Sequence, residues 1–220
     1  MSFLLLLQFL SACDAGAANP NTAGKAPKAS VDPGTAPAPV PPVGPGQAEA
    51  VLAGGCFWCL ESDFDKLDGV VHTTSGYAGG HVKNPTYGDV TSETSGHKEV
   101  VRVVYDTKKL TYAAVLDYYW RHVDPTDDGG QFCDRGDSYE TAIYAKDDAQ
   151  RAAAVASKKA IDDRGVLAGP IVTEVLPLTT FWPAENYHQD FHEKNPGRYL
   201  PYRMGCGRDI KVAQVWAGEK

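Results

Sequence analysis

Residues 50–61 read Ala50-Val51-Leu52-Ala53-Gly54-Gly55-Cys56-Phe57-Trp58-Cys59-Leu60-Glu61, and a change of pattern within them decides the fold. Ala50, Val51 and Leu52 form a short apolar run of strand character. Beyond it the apolar residues fall at Leu60, Phe64 and Leu67, with Glu61, Asp63, Asp65 and Lys66 between them, which is helical spacing. Cys56 is thus placed where a strand passes into a helix. Two glycines before it permit a tight turn and a close backbone approach. The unpaired N–H groups and the dipole at a helix N-terminus favour an anion, so the expectation is a reactive Cys56 thiolate of lowered pKa. Phe57 and Trp58 supply apolar walls beside the sulfur. A buried packing cysteine is the alternative, but Gly-Gly before it and Cys-x-x-Cys across it are poor choices for packing alone.

Downstream, Val70 to Tyr77 reads as a strand and Ala78-Gly79-Gly80 as a turn, with Asn84-Pro85-Thr86-Tyr87-Gly88 as loop. Glu99 to Tyr105 is a strand that puts Glu99, Val101, Val103 and Tyr105 on one face and Val100 and Val104 on the other. Tyr112, Val115, Leu116, Tyr119, Trp120 and Val123 keep the i, i+3, i+4 rhythm of an amphipathic helix. Asp124 to Ser138 is a polar, Gly-rich loop carrying Cys133 and Asp134. A strand follows at Tyr139 to Tyr144, an Ala-rich helix from Asp147 to about Arg164 and a strand at Ile171 to Leu178. A short helix runs from Pro183 to about Lys194. These elements predict a two-layer α+β sandwich with a mixed sheet flanked by helices, a ferredoxin-like core with a long irregular C-terminal tail after Pro201. No Gly-x-Gly-x-x-Gly and no P-loop occurs, so nucleotide cofactors have no support, and no cofactor is expected.

Upstream, Phe3 to Phe9 is an apolar run broken only by Gln8, too short to span a bilayer and suited to a signal-peptide core. It leads into Leu10-Ser11-Ala12-Cys13, which resembles a bacterial lipobox. The expectation is a signal over residues 1–13 and a lipid-bearing Cys13, although no Lys or Arg precedes the apolar run. Residues 14–48 are nearly all Ala, Pro, Gly and small polar residues. Such a segment buries too little apolar surface to fold and reads as a disordered, extended tether. The folded catalytic domain is expected over residues 49–216. Together these place the protein on the periplasmic side of a bacterial membrane, as an anchored lipoprotein.

The chain has 220 residues, a net charge of −7 and no basic stripe, which argues against nucleic acid as a partner. Its five cysteines, Cys13, Cys56, Cys59, Cys133 and Cys206, are too few for a disulfide scaffold, and one Cys-x-x-Cys without nearby histidines does not make a zinc site. Monomer is the default oligomeric state. Glu99 opens a strand with apolar neighbours, surroundings that raise a carboxyl pKa and fit it as a proton donor. Tyr87 and Tyr139 offer phenolic donors, and Asp134 is by itself a turn residue. Spacing alone permits a site from these residues without requiring one.

The stretch from Gly54 to Glu61 resembles the signature of the type A peptide methionine sulfoxide reductases. Gly76-Tyr77-Ala78-Gly79-Gly80, Asn84-Pro85-Thr86-Tyr87 and Gly96-His97-Lys98-Glu99-Val100-Val101 follow in that family's order and spacing. So do Asp134 to Tyr139 with Thr141-Ala142-Ile143-Tyr144, and Ala184-Glu185-Asn186-Tyr187-His188-Gln189. The resemblance implies that Cys56 is the nucleophile and Glu99 the acid that protonates the sulfoxide oxygen. It further implies that Tyr87 and Tyr139 hydrogen-bond that oxygen with Asp134 in the same cluster, and that Phe57 and Trp58 hold the S-methyl group. The reaction so implied reduces the S epimer of methionine sulfoxide and leaves a sulfenic acid on Cys56. A second thiol then closes a disulfide, and thioredoxin or a periplasmic dithiol reopens it.

Cys206, in a Gly-flanked tail, is the first choice of resolving thiol. Cys59, whose side chain is expected to point down the helix, and Cys133, beside Asp134, are the alternatives. Two other readings stand beside this one. A thiol–disulfide oxidoreductase built on Cys56 and Cys59 would need neither Glu99 nor Tyr87. A non-enzymatic lipoprotein would need no Cys56.

Overall fold

The computed structural model describes residues 36–219; the expected signal, the lipid-bearing Cys13 and the first part of the tether lie outside the described residues. The strand expected at Ala50–Leu52 is β1 (Gln47–Gly54). It hands the chain through Gly55 and Cys56 to α1 (Phe57–Phe64). Gly55 has φ +78°, the left-handed region, and a Cβ there would stand 2.5 Å from Gln131 Cβ. A Cβ on Gly54 would come within 2.9 Å of Val123 Cγ1. Each glycine thus answers a steric demand of the turn that presents Cys56.

β2 (Val70–Ala78) is followed by α2 (Tyr87–Thr91), β3 (Lys98–Asp106) and α3 (Tyr112–Trp120). The loop expected at residues 84–88 therefore gives way to a helical turn at Tyr87. Its capping box explains it: the Asp89 N–H donates to Thr86 Oγ1 at 3.2 Å, and the Thr86 N–H donates to the Asp89 carboxylate at 2.9 Å. The loop after α3 carries a small ladder, β4 (Gly130–Gln131) with β5 (Asp134–Arg135), and a 3-10 turn at Asp137–Tyr139. Tyr139 therefore ends this turn instead of opening the next strand, β6 (Thr141–Ala145). α4 (Asp148–Asp162), β7 (Glu174–Pro177) and β8 (Trp182–Pro183) follow.

Two expectations for the C-terminal part are corrected. The helix expected from Pro183 to Lys194 is split, because Pro183 pairs with Gly76 as a strand residue and Asp190 adopts a left-handed φ of 52°. What forms is a 3-10 turn at Asn186–His188 and then α5 (Phe191–Lys194). The irregular tail is instead two helices, α6 (Pro196–Cys206) and α7 (Arg208–Val215). Tertiary burial stabilises them: Tyr199 packs with Phe191, Cys56 and Cys59, Arg208 is closed from solvent, and the Trp216 indole donates to Val123 O at 3.1 Å.

The main sheet runs β7-β6-β1-β3-β2-β8. Its central four strands, β6-β1-β3-β2, are antiparallel neighbours in the ferredoxin-like order, and β7 joins β6 in parallel, which makes the sheet mixed. α1, α3 and α4 cover one face, where Leu52, Val101, Val103 and Ile143 meet Leu60, Phe64, Leu116, Trp120 and Ile161. Val51, Ala53, Val100, Ala142 and Tyr144 form a second cluster on the other face, against Leu176, Leu178 and Phe181. This is the two-layer α+β sandwich expected.

Residues 36–46, ahead of the domain start expected at residue 49, also make contacts with the domain. Pro37 bridges Glu185, Ala38 is buried, and Pro41 O accepts from Arg102 at 2.9 Å. Among the described residues, no helix is long and apolar enough to cross a membrane.

Candidate active site

Cys56 is the N-cap residue of α1 and is nearly closed from solvent, with 6% of its surface exposed. The next amide, Phe57 N–H, donates to Glu99 Oε2 at 2.8 Å. Glu99 lies near the start of β3, opposite Tyr77 of β2, and is buried. That single bond ties the acid to the turn that presents the sulfur. Burial pushes the Glu99 carboxyl well above the ordinary carboxylate range, with Asp134 and Cys59 adding to it against the one Phe57 N–H. A carboxyl so placed is neutral near neutral pH and holds a proton to give.

The thiolate expected at Cys56 is not what the site favours. Burial pushes the Cys56 thiol up, and hydrogen bonding to Cys59 and the charges of Cys59 and Asp134 push it the same way. One amide row at a helix start does not offset loss of water and these acidic neighbours. Cys59 is displaced in the other direction. Its side chain meets Cys56, contrary to the expectation that it points away down the helix. That hydrogen bond lowers its pKa first, burial opposes, and Arg208 and Arg203 lower it further. The two thiols thus act as a pair in which Cys56 keeps the proton.

Tyr87 and Tyr139 reach the same pocket from α2 and from the 3-10 turn. Burial raises both phenols. Both stay protonated and able to donate. The Tyr139 turn is held by Glu93, whose carboxylate accepts from the Ser138 N–H at 2.9 Å and the Ser138 hydroxyl at 2.6 Å. Asp134, in β5, accepts from the Tyr202 hydroxyl. Burial raises its pKa, and the Tyr202 hydrogen bond and Arg208 pull it back.

The two aromatic residues divide. Phe57 is 1% exposed and packs behind the site, 4.8 Å from His188 and 5.9 Å from Tyr77 between ring centres. Trp58 is half-buried, stacked on Phe191 at 3.7 Å and edge-on to Tyr202 at 5.9 Å, and is the wall an apolar group can reach.

Cys133 and Cys206 form a disulfide that joins the β4–β5 loop to the end of α6. Cys206 is thus fixed on a helix, not carried in a loose tail, and Cys133 is exposed and bonded to it. Cys56 and Cys59 are both free.

Residues outside the expected set hold it in place. Glu185 accepts from the Tyr87 N–H and the Tyr77 hydroxyl, each at 2.9 Å. His188 accepts from the Trp58 indole at 3.0 Å; burial pushes its pKa down to about 3, so it stays neutral with the proton on Nε2. Tyr202, on α6, stands edge-on to Trp58 at 5.9 Å and donates its hydroxyl to Asp134. Arg203 pairs with Asp63 at 2.8 Å, and its Nη1 donates to Cys59 O at 3.3 Å. The block from Ala184 to Gln189 stood out in the sequence but with no roles attached. Tyr202 and Arg203 had no local signal, because the helix that aims them is defined by contacts distant in the chain.

The family model described as peptide methionine sulfoxide reductase matches residues 48–220. A peptide methionine sulfoxide reductase of Caulobacter vibrioides is 55% identical over 169 residues, 77% of this chain and 85% of that protein. One of Bacillus licheniformis is 48% identical over 167 residues, covering 76% and 92%. Among solved structures, the reduced form of Mxr1 from Saccharomyces cerevisiae superposes with a TM-score of 0.65 at 30% identity, over 69% of this chain and 87% of that one. Methionine sulfoxide reductase A of Corynebacterium diphtheriae gives 0.62 at 32% identity, over 70% and 77%.

Proposed function

The chain belongs to the peptide methionine sulfoxide reductases, and from that premise we propose how its own residues carry the reaction. It is an oxidoreductase that reduces methionine sulfoxide to methionine. The observation that carries the mechanism is the Phe57 N–H to Glu99 bond, which binds a neutral acid to the turn bearing the nucleophile. The sulfoxide oxygen sits among Glu99, Tyr87 and Tyr139, with the S-methyl group against Trp58. Proton donation to that oxygen makes the sulfur electrophilic in a pocket of low polarity. Cys56 sulfur attacks as its thiol proton passes to the Glu99 carboxylate left by that donation; the oxygen passes to Cys56, methionine leaves, and Cys56 becomes a sulfenic acid. The substrate is the S epimer, free or within proteins, and the activity is repair of oxidative damage.

Cys59 then attacks the sulfenic sulfur, a Cys56–Cys59 disulfide forms and water leaves. Its contact with Cys56 and its lowered pKa support it over the first expectation, Cys206, whose sulfur is engaged with Cys133. An external dithiol, thioredoxin or a periplasmic equivalent, reduces the new bond. One turnover without reductant, read by mass spectrometry of the peptides, tests the assignment. The expected product is a Cys56–Cys59 bond with Cys133–Cys206 unchanged; a bond from Cys56 to Cys206 or Cys133 returns the role to that residue.

The reading also keeps the membrane anchor. Leu10-Ser11-Ala12-Cys13 and the Pro-rich segment behind it support a lipoprotein facing the periplasm, with the domain working at the end of its tether. Full-length protein expressed in bacteria should partition with membranes, and Cys13→Ala should release it. Recovery of all wild-type protein in the soluble periplasmic fraction refutes the anchor.

A further inference from the structure

We infer that residues 36–38 act as a clasp that positions the substrate site, through a loop that carries two of its supports. This rests on the catalytic reading above and extends it to residues before the segment that the family model matches, 48–220. The Ala38 N–H donates to Ala184 O at 3.0 Å, and the Asn186 N–H donates to Ala36 O at 3.3 Å. Between these two bonds Pro37 faces Glu185 as an antiparallel bridge. Ala38 is 6% exposed although its neighbours Pro37 and Pro39 are exposed, so the contact is closed and directional. Proline fits the outer positions of such an added strand, since its missing N–H would face away.

The loop so gripped has β2 on its other side, where the Ala184 N–H donates to Ser75 O at 3.0 Å. Residues 184–188 are thus held between β2 and the clasp. Glu185 is the residue that fixes Tyr87 and Tyr77, and His188 the one that fixes Trp58. The His188 ring also packs 4.6 Å from the Tyr87 ring and 4.8 Å from that of Phe57. Cys56 and Glu99 are anchored separately, by α1 and β3. Loss of the clasp therefore loosens the wall and the phenol that meet substrate and spares the sulfur and its acid. Ala36–Ala38 are positioning residues; they touch neither substrate nor reacting atoms.

The test uses the full chain and three substitutions at one position, two disruptive and one benign. Ala38→Pro removes the N–H; Ala38→Asp keeps it but puts a carboxylate into the closed contact with Ala184. Ala38→Gly keeps the N–H and adds no bulk, and serves as the rescue. In both disruptive variants, KM for a sulfoxide-containing peptide should rise about three- to tenfold, the effect of one lost hydrogen bond, with kcat within about twofold. Amide exchange should speed up at residues 184–188 and stay unchanged in α1 and β3, and the Gly variant should match wild type in both readouts. Faster exchange at 184–188 with KM unchanged overturns the proposal, as does a kcat loss without a KM rise. Exchange unchanged in both variants overturns it too, since the loop then stands without the clasp. A wild-type enzyme with no sulfoxide turnover sinks the catalytic reading instead, while the exchange data still report on the clasp.

Discussion

Cys56→Ser is expected to reduce methionine sulfoxide turnover by about four orders of magnitude or more, to the level of the reductant alone. The hydroxyl has nearly the shape of the thiol, so the turn from β1 into α1 is kept, and with it the Phe57 N–H that holds Glu99. What goes is the atom able to take oxygen and be returned by a dithiol; a serine has no counterpart to the sulfenic acid and disulfide steps. Substrate should still bind, because Trp58, Tyr87 and Tyr139 are untouched. The measurement is consumption of the S epimer with dithiothreitol, beside a binding isotherm for the sulfoxide. A variant that keeps a few per cent of the wild-type rate would show that another group attacks the sulfur.

Glu99→Gln should lower kcat/KM by roughly two to three orders of magnitude, the usual worth of a positioned general acid. Glutamine keeps an oxygen to accept the Phe57 N–H and a similar volume, so the change isolates the proton. The sign with pH follows from the cause. Burial raises the Glu99 pKa, so the donor form exists below that raised value and is lost as pH climbs through it. The wild-type rate should fall on the alkaline side for this reason, and the Gln variant should lose that limb of the profile. An unchanged rate near neutral pH in the variant would mean that Tyr87 or Tyr139 supplies the proton.

The reading of Gly54 to Glu61 held because every demand there is local. A left-handed turn, a close approach and a helix start are written in consecutive residues, so the strand-to-helix junction was legible before any contact was known. β3 and α3 were legible for the same reason, their periodicity being long and regular. The state of the sulfur was not, because a thiol's ionisation depends on what surrounds it in space. Burial by distant segments comes first, Cys59 and Asp134 add to it, and together they outweigh the helix terminus that the sequence displays. The tail failed likewise: α6 and α7 owe their order to Tyr199, Arg208 and the bond at Cys206, contacts distant in the chain. Residues 36–46 are richer still in proline than the stretch before them, and composition does not announce that a few backbone groups find partners on a distant loop.

Cys133 and Cys206 lie 73 residues apart, and a crosslink closing so long a ring withholds on the order of 4 kcal/mol of freedom from the denatured chain. Its Cys133 end is exposed, open to the same dithiols that, under the reaction proposed above, refresh the buried pair. Endurance and turnover therefore draw on opposite ends of the cell's redox scale: the scaffold is toughest when oxidant abounds and recycling is scarce, and most pliant when electrons are plentiful.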